Sequence, residues 1–172
     1  MKKHLILFCI SILIIHLNFH FDDYYKEYYE YTPVLMKRTE LEKSIYYTDA
    51  RNLENPGKIY AKDNYLFINE KYDGVHVIDN TDPESPKNIG FINAPGTIDM
   101  AIKGSVLYLD NAVDLVAVDL ANFPAINVTE RITNIFPEPF PPGYSYIPDK
   151  YLPSNRPKGT VLVKWLKRGE TE

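Results

Sequence analysis

Two stretches, 41 residues apart, dominate the pattern of this chain, and in each of them two short apolar runs flank a polar turn. Residues 58–69 read KIYAKDNYLFIN and residues 99–110 read DMAIKGSVLYLD. Each stretch runs through a turn into a second short apolar segment ending in aspartate, at 74–79 and 114–119. Short apolar runs bounded by turn residues are typical of strands, and a period of this length is typical of propellers and related repeat arrays. The pattern therefore predicts an all-β chain that contains a repeated unit.

Turn residues divide each copy into four short strands. The first copy has a tight-turn pair at 63–64, and the second has Gly-Ser at 104–105. The connection at 79–86 carries two prolines, which cannot donate to a ladder, so it is predicted to be a loop. The closing strands are predicted near 88–92 and 126–132. Four strands per copy is the content of one propeller blade.

The pairing of the two copies also predicts a core. Apolar residues at matched positions should face the partner unit, because stacked blades bury their facing surfaces. We expect the following residues to be mostly buried: Leu66, Ile68, Val77, Leu107, Leu109, Val116 and Val118.

The N-terminal segment 1–21 is predicted to be a signal peptide or a membrane anchor, formed by a hydrophobic helix. Lys2 and Lys3 precede an apolar run from Leu5 to Leu17. Thirteen helical residues cover about 20 Å, less than the ~30 Å hydrocarbon core, which favours a signal peptide. An uncleaved anchor, with membrane association through this end, remains the alternative. Cys9 is interpreted as an apolar filler rather than a lipidation site.

Segment 22–52 is predicted to be an acidic, tyrosine-rich tether. Its composition shows no apolar face, although an aromatic binding strip is an alternative interpretation. Thr39 and Glu42 have the spacing of a capping box, which predicts a short helix beginning at Thr39.

The repeats at 53–135 are followed by a proline- and aromatic-rich loop at 136–158, and then by an extra strand and tail at 159–172. Seven prolines between 137 and 157 exclude a ladder there. The extra strand is expected to leave an unpaired edge. Aromatic residues in and next to the loop form a candidate binding loop, with simple packing over the blade edge as the alternative: Phe136, Phe140, Tyr144, Tyr146 and Tyr151.

Charge and candidate chemistry narrow the function classes. The net charge of the 172-residue chain is −4 and no basic stripe is present, which argues against a nucleic acid partner. The single cysteine rules out intrachain disulfides. Asp110, Asn111 and Asp114 do not match the spacing of a calcium loop, and His76 is the one histidine of the repeats. We therefore expect no catalytic, cofactor or metal site.

The residues that carry the repeat resemble a known family. The run 57–79 with its Asp-Pro-Glu-Ser-Pro turn, and the five-residue strands at 75–79 and 115–119, are similar to LVIVD-repeat proteins. The resemblance extends over nearly everything after the leader, from Tyr31 to Trp165. It implies an exported bacterial β-propeller protein, located in the cell envelope or secreted. Two blades are fewer than a closed propeller contains, so the chain is expected to be an N-terminal portion or truncated member.

Taken together, these features predict a partial β-propeller of about two four-stranded blades plus one extra strand. The expected function is a non-catalytic interaction module of the cell envelope that binds an unknown surface protein or glycan. One alternative is part of a secreted glycan-active or hydrolytic propeller enzyme, built on blade-end carboxylates such as Asp99 and Asp110. Another is a truncated fragment without a function of its own.

Overall fold

The computed structural model describes residues 30–169, which form an all-β structure of three antiparallel sheets. One short helix and one 3₁₀ turn, Asp149–Tyr151, are the helical elements of this part of the chain. The elements in chain order are β1 (Tyr31–Lys37), α1 (Arg38–Leu41), β2 (Tyr46–Thr48), β3 (Pro56–Lys62), β4 (Tyr65–Glu70), β5 (Gly74–Asp79), β6 (Lys87–Asn93), β7 (Met100–Lys103), β8 (Val106–Asn111), β9 (Asp114–Asn122), β10 (Ala125–Ile132) and β11 (Thr160–Lys167).

The two predicted four-strand units are both present. The first sheet has the order β2-β6-β5-β4-β3 and the second has β10-β9-β8-β7, so each contains a meander of four consecutive strands. The predicted tight turns connect β3 to β4 and β7 to β8, and Asp63 and Gly104 adopt positive φ there. The proline-containing connection from β5 to β6 is a loop, as predicted.

The first sheet has a fifth strand, β2, that the sequence pattern did not predict. It comes from the segment expected to be a tether, and it pairs with the outer edge of β6. Tyr47 lies over Gly90, where any added Cβ would come within 1.9 Å of the tyrosine hydroxyl. The hydroxyl donates a hydrogen bond to the carbonyl of Ile89 at 2.8 Å. Because Gly90 of β6 has no side chain, the ring of Tyr47 fits over it and helps to hold β2 on the sheet.

The first and second sheets share one hydrophobic core. Val75 and Val77 of the first sheet belong to the same buried cluster as Leu107, Leu109 and other residues of the second sheet. The edge strands β3 and β7 lie next to each other, and the Tyr60 hydroxyl donates to the carbonyl of Ile102 at 2.9 Å. The two sheets therefore pack through their inner faces. Of the predicted core residues, this confirms Val77, Leu107, Leu109, Val116 and Val118 as buried.

Leu66 and Ile68 are less buried than the other five predicted residues and do not belong to the shared core. The buried positions of β4 are Phe67, Asn69 and Glu70, and of these Phe67 belongs to the shared core. Phe67 pairs with Val77, whereas Leu107 of the second sheet pairs with Val118. The inner faces of β4 and β8 are therefore offset by 40 residues, while those of β5 and β9 are offset by 41. Because side chains alternate between faces, a one-residue error in register moves a strand's apolar set to the opposite face.

The third sheet joins the two ends of the described chain. β1 pairs antiparallel with β11 over its whole length, with a bulge between Val34 and Leu35. The tether prediction was therefore wrong for residues 31–37, and the extra strand β11 has a partner along one edge rather than standing alone. Pro33 fits in β1 because this strand has a single neighbour, so its missing N–H can face outward. Local sequence could not reveal a pairing across some 130 residues.

The predicted capping box is absent. The helix α1 is a single turn that begins at Arg38, and its N-cap is Lys37, without a side-chain hydrogen bond. Thr39 lies inside the turn, and Glu42 pairs instead with Arg38 at 3.3 Å. Leu41, the buried residue of α1, packs against Ala112 and Val113 of the second sheet and against Val161 of β11. The helix is therefore anchored by the burial of Leu41 and has no side-chain cap.

A buried ion-pair cluster connects the third sheet to the second. The Asp114 carboxylate is fully buried and accepts hydrogen bonds from Arg38 at 2.8 Å, from Arg131 at 2.7 Å and from the N–H of Asn134 at 3.0 Å. Arg131 also donates to the side chain of Asn111 at 2.9 Å. Because α1, β9 and β10 each contribute to the cluster, it ties these elements together.

The predicted hydrophobic helix of segment 1–21 and most of the acidic part of the tether lie outside the described residues. Within residues 30–169, no helix is both long enough and apolar enough to cross a membrane.

Candidate functional site

A cavity of about 550 Å³ lies between the second sheet and the first residues of the proline-rich loop. It is on the face of the second sheet opposite the shared core, where side chains alternate away from buried Ile102 and Leu107. Ala101, Tyr108 and Leu115 contribute to its floor. Ala101 and Tyr108 are direct cross-strand partners. The small side chain of Ala101 next to a large ring leaves space above the sheet.

The opposite wall is the segment 136–140, and the fold holds it firmly. The N–H groups of Ile135 and Phe136 both donate to the carbonyl of Val113, at 2.8 and 3.0 Å. Two interactions with the region of β11 fix the other end. Glu138 accepts hydrogen bonds from Arg156 and from the N–H of Leu162, and the indole of Trp165 donates to the carbonyl of Pro139 at 2.8 Å. Bonds at both ends pre-order the wall, which reduces the entropy that ligand binding would cost.

The predicted binding loop divides into two parts. Phe136 and Phe140 line the cavity and are 38% and 50% exposed, respectively. The three tyrosines do not line it. Tyr144 and Tyr146 make an edge-to-face contact with each other, with ring centroids 6.2 Å apart, and Tyr151 makes one with Trp165 at 5.5 Å. Two of the five predicted residues are therefore at the site, while Tyr151 packs on β11.

Sequence reasoning missed the floor of the cavity. Tyr108 and Leu115 are partly exposed residues on the outer face of their strands. Side chains alternate between faces along β8 and β9, which places both residues opposite buried Leu107 and Val116. Both stand in continuous apolar runs, so the sequence pattern alone does not mark them. What alternation cannot show is that a loop some 30 residues further along returns to cover this face.

Asp110 is a largely buried carboxylate at the cavity that the loop before β7 surrounds with hydrogen-bond donors. Its Oδ1 accepts hydrogen bonds from the N–H of Asp99 at 2.7 Å and the hydroxyl of Thr97 at 3.3 Å, and the N–H of Ile98 is shared between Oδ1 and Oδ2 at 3.0 and 2.9 Å. Burial raises the pKa of Asp110 above its ordinary value, and these hydrogen bonds offset the increase only in part. The carboxylate holds the loop that leads into β7.

Asp99 lies near the rim of the same cavity in a different environment. Its carboxylate pairs with the Lys58 ammonium at 2.5 Å, and both side chains are largely exposed. The hydrogen bond from Lys58 lowers the pKa of Asp99, with a smaller contribution from the N–H of Met100 and partial opposition from burial. The two carboxylates of the hydrolase alternative thus share a cavity, but each is already engaged by protein donors.

The residues considered for calcium do not converge on one point. Asp114 binds two arginines, and the side-chain oxygen of Asn111 accepts from Arg131, while Asp110 faces the cavity. Over the described part of the chain, no group of three or more histidine, cysteine or acidic side chains is placed to hold a metal ion.

His76 belongs to the interior of the first sheet. Its Nε2 lies 2.9 Å from a carboxylate oxygen of Glu70, and both side chains are buried. Glu70 also accepts from the N–H groups of Glu54 and Asn55. The pair fixes the segment that enters β3, and neither residue lines the cavity.

Comparison with known proteins leaves the family open. No family model matches the chain, and neither the curated proteins nor the solved structures contain a match.

Proposed function

We propose that this chain is a non-catalytic binding module that takes its ligand in the cavity between the second sheet and segment 136–140. The observation that carries the proposal is an apolar, aromatic-walled cavity of about 550 Å³ whose acidic neighbours Asp99 and Glu138 are already paired with Lys58 and Arg156. Cavities of this size with apolar walls are typical of ligand sites. A glycosidase-type hydrolase needs two carboxyl groups that can act on substrate, and Asp99, the second carboxylate of that alternative, is paired with Lys58.

The architecture we propose for the module is part of a β-propeller of the LVIVD-repeat type. Three features support it: four-strand meanders in both sheets, inner faces that share a core, and neighbouring first strands β3 and β7. The strands at 75–79 and 115–119 that carry the resemblance are β5 and part of β9. In this arrangement the third sheet would stand where the next blade begins.

The binding proposal predicts that filling the cavity abolishes ligand uptake. Ala101→Trp places a large ring on the cavity floor at an exposed position of the edge strand β7. Its matched control is Ala61→Trp, an exposed alanine of the edge strand β3 in the other sheet. Ligand-observed NMR can screen a library of small aromatic and aliphatic compounds against the three proteins. We expect some compounds to bind both the wild type and Ala61→Trp but not Ala101→Trp.

Binding that survives Ala101→Trp would place the ligand site elsewhere. The unfolding midpoint of both variants should stay close to that of the wild type, because both positions are solvent-exposed. An unchanged midpoint would show that Ala101→Trp loses binding because the tryptophan ring fills the cavity, and not because the chain unfolds.

We also propose export to the cell envelope, on the basis of the basic and apolar segment at the N-terminus. A C-terminally tagged chain should fractionate with the envelope or the medium. The variant with Leu5, Ile6 and Leu7 replaced by aspartate should remain in the cytoplasm, since a charged run disables the apolar region of a signal. Recovery of the unaltered chain wholly from the cytoplasmic fraction would contradict export.

A further inference from the structure

One charge at the cavity has no counter-ion. Of the charged residues that line it, Lys58 pairs with Asp99, and Glu138 pairs with Arg156 outside the cavity. Asp110 accepts hydrogen bonds from neutral donors, and within residues 30–169 no lysine, arginine or histidine forms an ion pair with it. The lining therefore carries one uncompensated negative charge.

The Asp110 carboxylate retains capacity to accept another hydrogen bond. Among the described donors, Oδ2 receives only the N–H of Ile98, which it shares with Oδ1. A carboxylate oxygen can accept two hydrogen bonds. A negative charge in an apolar surrounding is also poorly solvated, so a cation that enters the cavity gains more from it than from a carboxylate in water.

The rest of the lining favours a cation that carries an apolar body. Tyr108, Phe136 and Phe140 present aromatic rings, and Ile98 and Leu115 add aliphatic surface. Aromatic faces attract organic cations through the ring quadrupole and also bury hydrocarbon. An anionic ligand would meet the charge of Asp110, and a sugar would leave several hydroxyl groups against apolar walls.

We propose that the cavity binds an organic ammonium ion whose hydrocarbon body packs against Phe136, Phe140 and Tyr108 while its cationic head lies at Asp110. This proposal rests on the proposed function, because it assumes that the cavity is a ligand site. Two sources supply the same chemistry: a free amine, or the side chain of a lysine in a peptide.

The test compares three ligands of one shape and different charge on the full chain: phenethylammonium, 2-phenylethanol and 3-phenylpropionate. Dissociation constants come from isothermal titration, supported by the fluorescence of Trp165, the one tryptophan of the chain, which is bonded to the cavity residue Pro139. We expect phenethylammonium to bind about tenfold more tightly than the alcohol, which is the effect of one charge-assisted hydrogen bond. The carboxylate should bind most weakly.

The variant Asp110→Asn should reduce the preference for ammonium over alcohol to about one, while the alcohol still binds, since the hydrocarbon contacts remain. The matched control is Asp119→Asn, at a carboxylate on the same sheet that accepts the N–H of Ala121 at 2.9 Å but does not line the cavity. It should leave the tenfold preference intact.

Acidification of the wild type gives a second measurement that does not depend on a variant's folding. Because the pKa of Asp110 is raised above 3.8, the preference for ammonium should disappear at a higher pH than an ordinary aspartate would require. Lys58, Asp99 and Glu138 are the other charged groups of the lining, and the pKa of Asp99 is lowered, so Asp99 stays ionised over this range. Binding of the alcohol should not change.

The acetylated tripeptide amide Gly-Lys-Gly, compared with Gly-norleucine-Gly, distinguishes the sources. Preference for the lysine peptide indicates a peptide ligand, and binding of phenethylammonium without the peptide indicates a free amine. Equal binding of ammonium and alcohol by the wild type would overturn the charge assignment and leave the cavity as a neutral apolar site. If the screened compounds and all of these probes fail to bind, or if they bind Ala101→Trp as well as the wild type, the proposed function itself fails.

Discussion

Leu107→Ala should lower the free energy of unfolding by about 2–5 kcal/mol. Leu107 is completely buried in the core shared by the first and second sheets, opposite Val118 of β9. Its truncation removes hydrocarbon contacts with both sheets and leaves a cavity that rigid strands cannot close. Urea titration, followed by the fluorescence of Trp165, measures the change.

Leu66→Ala is the matched control for this prediction. Leu66 occupies the position that a uniform 41-residue offset makes equivalent to Leu107, but it is half-buried on the other face of its sheet. Its truncation should cost roughly 1 kcal/mol, because less apolar surface leaves water on folding. Equal losses for the two leucines would contradict the shift in register between the two units.

Asp114→Asn should cost about 3 kcal/mol, since removing one partner of a buried ion pair leaves the other charges uncompensated. Arg38 and Arg131 both donate to this carboxylate, and their side chains are 22% and 12% exposed. Breaking a buried ion pair in this way costs about 3–5 kcal/mol in general. We expect the lower end of that range because the two guanidinium groups retain some contact with water. Chemical denaturation at neutral pH measures it.

Glu40→Gln provides the control, because it removes an exposed ion pair with Lys37 from the same short helix. Its effect should stay below about 0.5 kcal/mol. A loss for Asp114→Asn as small as this would mean that the cluster does not tie the third sheet to the second.

The same carboxylate should make stability depend on pH. Burial by itself raises the pKa of Asp114, but the bonds from the N–H of Asn134, from Arg131 and from Arg38 outweigh burial and lower it below 3.8. In the unfolded chain the group titrates near the ordinary value, so its contribution is complete above that pH and is lost as pH falls through the lower folded pKa. The stability difference between wild type and Asp114→Asn should therefore shrink on acidification.

Strand positions were largely predictable because their signals are local. Tight turns such as Asp63-Asn64 and the prolines after Asp79 divide the apolar runs at the places where the strands end. The run at 160–167 was also predictable as a strand. The proline-rich stretch before it was correctly excluded from a sheet, since proline removes ladder donors wherever it stands.

The candidate site was predictable only in part. Phe136 and Phe140 stood out as aromatic residues in a constrained loop, and both line the cavity. Tyr144, Tyr146 and Tyr151 carried the same local signal and do not line it. Two hydrogen-bonded pairs, Glu138 with Arg156 and Pro139 with Trp165, determine which aromatic residues of the loop face the sheet. These partners are far apart in the chain, so no local sequence pattern reveals them.

The amino-acid sequence by itself determined the all-β class, the two four-strand units and the alternation that buries Val116 and Val118. These properties follow from side-chain period and turn chemistry, which act over a few residues. Only the tertiary structure decided the pairing of β1 with β11, the offset between the inner faces of β4 and β8, and the covering of Tyr108 by the proline-rich loop. Those depend on contacts between residues far apart in the chain, where packing selects among arrangements that the local pattern allows equally.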